Sequence, residues 1–295
     1  MKFSFWPRPT HTFDRLLTLA HHVEQTGWHG LWLADHFMPN AEDTSAPWPE
    51  AFTTLAAIAA TVPRLRIGTL VAGNTYRHPA VLSKMAVTID HISGGRMVLG
   101  IGAGWQENEH QKYGIPFDSV KERLTKLEEA CQVIKALTSA DSANFAGKHY
   151  QLDRAPLEPK PLQQPLPLLV GGGGERVTLR IAAAYADEWN VWGTLSTAER
   201  KIRILNEHCE RLGRDPCTLK KTLVALVFLT DDPDFAAKMR ENTQASIAGS
   251  VTELQDIFGA YRALGVDEFI VPDFNLGSAP ETTLTTLTEE VFPGI

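Results

Sequence analysis

The chain has 295 residues, 43% hydrophobic and 21% charged, which is ample material for a large core and unlike a disordered or membrane-embedded composition. A net charge of -7 and the lack of any lysine- or arginine-rich stripe argue against a nucleic-acid partner and for a small-molecule one. No apolar run reaches membrane-spanning length, residues 1–7 are too short for a secretory leader, and the three cysteines have no C-x-x-C spacing, so a reducing, cytoplasmic location is expected.

Strand-like and helix-like segments alternate along the whole chain, the pattern of a parallel sheet with crossover helices. Residues 2–6 predict a first strand, followed by an amphipathic helix over 13–26 that Gly27 stops, and then a second strand over 30–34. A proline-containing loop leads to a helix over 50–61; strand 65–71, helix 79–91, strand 96–101 and helix 120–138 follow. Strand 168–170 precedes a helix opening at Glu175, strand 188–191 a helix over 197–212, strand 222–229 a helix over 251–264, and strand 268–271 a closing helix over 281–291. Eight strand–helix pairs in this length predict a single (β/α)8 barrel over residues 1–295. The rhythm breaks twice. Residues 139–164 hold a small hairpin near Phe145–Leu152 and a proline-rich run, and residues 230–249 form an insertion after strand seven.

In such a barrel, ligands sit on the loops after the strands. Asp35-His36 follows strand two, Asn74 strand three, Gly102 to Trp105 strand four, and Gly171 to Gly174 strand five, so the chemistry-bearing residues converge on one face. Four successive glycines between a strand and a helix expose backbone N–H groups to an anion such as phosphate, although glycine also serves tight turns. Gly100-Ile-Gly-Ala-Gly104 starts like a dinucleotide fingerprint, but Trp105 stands where its third glycine belongs, so that reading is rejected. Asp35 and His36 at a buried strand end need a partner or a pocket, and His36 is a candidate acid or base. No metal-ligand spacing, P-loop or G-x-S-x-G is present. Trp6, Trp105, Trp189 and Trp192 near strand ends suit the walls of a site for a planar heterocycle, or simply rim packing. Arg77-His78 could meet an acidic ligand group or solvent.

Four stretches carry a resemblance: Gly30-Leu-Trp-Leu-Ala-Asp35-His36-Phe37; Arg66 through Pro79; Ser93-Gly-Gly-Arg96 through Trp105; and Leu169-Val-Gly-Gly-Gly-Gly174-Glu175-Arg176 with Tyr185-Ala-Asp187. In this order they resemble the luciferase-like monooxygenase superfamily, and within it the oxidoreductases dependent on the deazaflavin coenzyme F420. The resemblance implies a barrel with the cofactor ring over its C-terminal face, lined by Asn74 and Gly104; Trp105 beside them is a further cofactor-binding candidate. The resemblance also implies a non-prolyl cis peptide at Leu70-Val71 whose bulge supports the ring, a hydrogen bond from the ring system to Asp35, and the cofactor phosphate at Gly171, Gly172, Gly173 and Gly174. His36 matches a histidine proposed as acid or base in sugar-phosphate dehydrogenases of the family. Those enzymes have a glutamate where this chain has Trp105, which speaks against sugar-phosphate oxidation unless Glu107 or Glu109 substitutes. Hydride exchange between F420 and a small organic substrate is therefore expected. An FMN-dependent monooxygenase using O2 is the alternative, and a non-catalytic cofactor-binding barrel the third reading. A homodimer is implied by the same resemblance.

Overall fold

A computed structural model describes residues 1–241 and 245–295. Eight parallel strands close on themselves: β1 (Lys2–Trp6), β2 (Gly30–Leu33), β3 (Arg66–Thr69), β4 (Met97–Gly102), β5 (Leu168–Gly171), β6 (Glu188–Trp192), β7 (Lys220–Val224) and β8 (Glu268–Pro272). Each pairs with the next in sequence, and β8 pairs with β1, which removes both sheet edges and gives the expected barrel. Along β1 the period-two alternation sends Phe3 and Phe5 outward against the helices and Trp6 into the barrel. The inner cluster is small: Trp6, Trp32, Leu70, Val98, Leu169, Val224 and Ile270 fill the barrel, and the larger apolar core lies between strands and helices.

The helices are α1 (Phe13–Gln25), α2 (Ala51–Thr61), α3 (Pro79–Ser93), α4 (Glu107–Tyr113), α5 (Val120–Ser139), α6 (Thr178–Tyr185), α7 (Leu195–Arg211), α8 (Pro233–Arg240), α9 (Val251–Ala263) and α10 (Glu281–Thr286). Their starts carry local signals. His78 caps α3 with Pro79 in the first turn, and Ser250 with Glu253 forms a capping box on α9.

Four local features depart from the sequence reading. The third strand is not continuous over 65–71: pairing with β4 holds at Ile67 and Gly68 and resumes at Ala72 and Gly73, with one residue more on this strand than on β4 between them. The excess is a bulge at Leu70-Val71. The apolar run 222–229 also divides, because Leu226–Leu229 leaves the barrel to pair with Ser246–Gly249. Helix α8 and the strand Ser246–Gly249 fall within the expected second insertion, and residues 242–244 of that segment lie outside the described residues. The helix after the glycine run starts at Thr178, with a turn over residues 175–177, instead of at Glu175. Finally, α4 has no counterpart in the sequence reading. The hairpin of the first insertion is present as Ala143–Ala146 paired with Gln151–Ala155.

Candidate functional site

Loops beyond the strand ends enclose a cavity of about 860 Å³ at the barrel mouth. Leu70 and Val71 line it, and the peptide between them is cis. Val71 lies across two glycines at neighbouring strand ends. A β-carbon on Gly102 would sit 2.8 Å from Val71 Cγ2, and one on Gly171 2.8 Å from Val71 Cγ1. Carbon atoms do not approach so closely without displacement, so only glycine at both positions leaves Val71 where it stands. The result is an apolar ridge beside bare backbone, a surface on which a flat ring can lie. Gly104 lines the same cavity in the left-handed region at φ +78°.

At the glycine run the last three of the four carbonyls are tied to protein. Gly172 O accepts from Trp189 Nε1 at 2.9 Å, Gly173 O from Lys201 Nζ at 2.7 Å, and Gly174 O from the Leu179 N–H at 3.0 Å. Gly172 N donates to Asn190 O at 2.9 Å, whereas the N–H groups of Gly173 and Gly174 have no acceptor among the described residues. Successive free N–H groups form a nest for an anion, reinforced by the Lys201 ammonium, which also contacts Glu175 at 2.8 Å. Gly171, Gly172 and Gly173 line the cavity; Gly174 does not.

Asp35, 1% exposed, is neither free nor paired with its neighbour His36. Its carboxylate takes a two-pronged ion pair from Arg77, at 2.7 and 3.0 Å, and a longer contact from the Gly73 N–H at 3.3 Å. Burial pushes the Asp35 carboxyl up despite the pull of Arg77. Arg77, which the sequence left between ligand and solvent, meets neither. It also holds Glu50 at 2.6 Å, so one guanidinium joins the end of β2 to the N-cap of α2. His78 caps α3.

His36 turns the other way. Its Nδ1 lies 2.8 Å from Glu109 Oε1, and the second oxygen of that carboxylate accepts the Phe37 N–H at 2.8 Å. Tyr76 hydroxyl donates to the same Oε1. Burial alone would raise the Glu109 carboxyl, but these donors hold it below the usual range, while burial and Glu109 push the Tyr76 phenol well up. An ionised Glu109 favours the tautomer with hydrogen on Nδ1, leaving Nε2 of a cavity-lining imidazole as the proton acceptor. Trp105, 62% exposed, stands edge-on to the His36 ring at 5.3 Å on the cavity rim.

Helix α4 makes this possible although it is short and polar. Gln106 Nε2 donates to Met38 O at 2.8 Å, Asn108 Nδ2 to Pro39 O at 2.9 Å, and His110 bridges Gln106 O and Thr75 Oγ1, each at 2.7 Å. The helix therefore clamps the loop after β2 and delivers Glu109 to His36. Its neighbour Glu107 is exposed and bonds Gln111 at 2.9 Å.

Some expectations fall outside the cavity. Asn74 is buried behind it, with Nδ2 directed at the Tyr150 hydroxyl at 3.2 Å, because the strand end turns its side chain toward the hairpin. Trp189 is fully buried as a strut for the glycine run, whereas Trp6, Trp105 and Trp192 are wall residues. Arg8, Trp48, Tyr76 and Phe274 line the cavity without having been singled out, since nothing in their immediate sequence marks them. Among the described residues no cluster of three His, Cys, Asp or Glu side chains is arranged to hold a metal, and no helix is long and apolar enough to cross a membrane.

Known proteins resemble this chain in sequence and in fold. The luciferase-like monooxygenase family profile matches residues 1–268. An F420-dependent glucose-6-phosphate dehydrogenase of Kineococcus radiotolerans is 32% identical over 78% of this chain and 67% of its own length, and one of Amycolatopsis mediterranei 35% over 58% and 50%. The match thus spans about half the length of the Amycolatopsis relative. An F420-dependent hydroxymycolic acid dehydrogenase of Mycobacterium tuberculosis is 29% identical over 74% of this chain and 60% of its own length. In fold, a solved F420-dependent secondary alcohol dehydrogenase in complex with an F420-acetone adduct superposes with a TM-score of 0.84 at 21% identity, covering 100% of this chain and 99% of that one. The chain belongs to the luciferase-like monooxygenase family.

Proposed function

We propose that this chain is an oxidoreductase that holds coenzyme F420 in the barrel mouth and exchanges a hydride between it and a small organic substrate. The observation that carries the reading is two matched surfaces at one cavity: the Val71 ridge over Gly102 and Gly171, and the free N–H of Gly173 in the cavity wall, with that of Gly174 next to it in the chain. The first fits a planar tricyclic ring and the second the phosphate of its tail. The names of the relatives support F420 over a flavin.

When bound, F420 supplies the ring carbon that takes or gives the hydride. The chain's own residues orient the reactants and move the proton. His36 Nε2 accepts the proton of a substrate hydroxyl, or returns it in the reverse direction, while Glu109 fixes Nδ1–H and the ring plane. Asp35 and Arg77 keep the end of β2 in place beneath His36. Glu109 is fully engaged by His36, Phe37 and Tyr76, and Glu107 faces solvent, so neither stands in for the acid missing at Trp105. Sugar-phosphate oxidation is accordingly outside the proposal.

The test is anaerobic: a panel of alcohols with F420, and of aldehydes and ketones with reduced F420, followed by F420 absorbance. Substrate-dependent interconversion supports the reading; no response with F420, together with substrate-dependent oxygen uptake with reduced FMN in a separate aerobic assay, would replace it by the monooxygenase alternative. The proposal includes a cytoplasmic homodimer, which light scattering of the purified chain checks for subunit number.

A further inference from the structure

Three buried side-chain nitrogens on residues that line this cavity make no hydrogen bond among the described residues, and all three are donors. Trp6, at the end of β1, is 8% exposed. Its Nε1, the Nε1 of Trp48 and the Nε of Arg8 are buried and make no hydrogen bond among the described residues. All three residues line the cavity, and neither an indole N–H nor a guanidinium can accept. Buried donors of this kind are costly unless an acceptor arrives from outside the chain.

Arg8 is held by the loop after β8. Its Nη2 donates to Asp273 O at 2.7 Å and Gly277 O at 3.0 Å, leaving Nη1 without an acceptor among the described residues. The buried Asp273 carboxylate meets the guanidinium only as a long ion pair with no hydrogen bond, which leaves the Nε and Nη1 protons unclaimed. Its Oδ1 accepts the Arg8 backbone N–H at 2.6 Å, its Oδ2 faces His11 Nε2 at 2.6 Å, and the nearest guanidinium nitrogen is 3.6 Å away. Asp273 thus aims Arg8 through the main chain. Among the described residues that line the cavity the one carboxylate, Asp35, belongs to Arg77. Beside these donors Trp6 packs on Trp192 at 5.6 Å and Phe274 at 5.1 Å, an aromatic wall.

We propose that this end of the mouth anchors the substrate, and that the substrate class is a small apolar organic acid: carboxylate on Arg8 and the Trp6 and Trp48 N–H groups, apolar body on Trp192 and Phe274. The inference rests on the reading of the cavity as the reacting site. A carboxylate satisfies several donors at once and fits a guanidinium better than a neutral carbonyl does. The competing source of carboxylates is the glutamate tail of F420 itself, and the experiment separates the two.

Intrinsic tryptophan fluorescence of the purified chain is titrated with phenylacetate and, as the neutral match, phenylacetamide, each with and without F420. Phenylacetate is expected to bind about tenfold tighter than the amide. The gap should close in Arg8→Leu and largely survive in Arg8→Lys, which keeps the charge and controls for a disturbed loop, while F420 affinity stays at the wild-type value in both. Equal affinity of acid and amide, or no saturable binding of the acid, overturns the proposal. So does a loss of F420 affinity in Arg8→Leu, which would assign the donors to the cofactor tail. Because the acid is also titrated without F420, failure of the wild-type chain to bind F420 leaves the carboxylate result readable and the two readings fail separately.

Discussion

Nδ1 of His36 and Oε1 of Glu109 stand 2.8 Å apart across 73 residues of sequence, and the carboxylate side chain has no solvent exposure. Glu109→Gln keeps the shape but can offer an N–H to Nδ1, which favours the wrong tautomer for proton acceptance at Nε2. Turnover is expected to fall about a hundredfold with substrate KM and F420 affinity little changed. A matching rise in KM with unchanged turnover would place Glu109 in binding instead.

The same carboxylate sets part of the acid stability. Glu109 is held below its ordinary value of 4.5 in the folded chain, so its ionised form stabilises the fold above that value. The contribution disappears as pH falls through the lower, folded value. Asp35 has the opposite sign: burial raises its carboxyl, so protonating it on acidification favours the fold and partly offsets the loss. Melting temperature measured from about pH 6 to about pH 3 should therefore fall less steeply in Glu109→Gln than in the wild type. Parallel curves would show that Glu109 is not differentially ionised.

Asp35 and Arg77 form a buried pair in which each covers the other's charge. Asp35→Ala strands a guanidinium that is 13% exposed, with Glu50 as its remaining partner. Urea unfolding should show a loss of about 3 kcal/mol. A change below about 0.5 kcal/mol would mean the pair behaves as a surface one.

The Val71 ridge makes a packing prediction. Gly102→Ala places a β-carbon 2.8 Å from Val71 Cγ2 and must displace it, costing about 1–3 kcal/mol in stability and weakening F420 binding about tenfold or more. Val71→Ala should weaken F420 binding by a similar factor with a smaller drop in melting temperature, since the ridge partly faces the cavity. Unchanged F420 affinity in both variants would remove the ridge from the cofactor site.

How far the sequence carried this differs by feature. Barrel strands announce themselves as short apolar runs between turn signals, and all eight are found where expected. What escapes is non-local. The run at residues 222–229 is apolar throughout, so nothing in it marks Ala225 as the point where the chain leaves the barrel for a separate two-stranded pair. Helix α4 has seven residues, no side-chain N-cap and a polar face that is buried by hydrogen bonds, at Glu109 and His110, so no apolar period reveals it. Asp35 and His36 were visible as a buried pair needing partners, but the partners come from 42 and 73 residues away and differ for the two. The glycine run was legible as an anion cradle, while the side that holds it, Trp189 and Lys201, was not.

Loss of the Lys201 anchor tests that cradle from behind. Lys201→Met frees Gly173 O and Glu175 without touching the N–H groups themselves, and F420 affinity should drop about tenfold with little change in binding of a ring lacking the phosphate tail. Equal losses for both ligands would indicate a general collapse of the loop.

The most direct measurement is a fluorescence titration of the purified chain with F420 and, separately, with FMN. Saturable F420 binding at micromolar or lower concentration, at least about tenfold tighter than FMN and weakened by Gly172→Ala at φ +129°, is the expected result. Tight FMN binding with no response to F420 would contradict it.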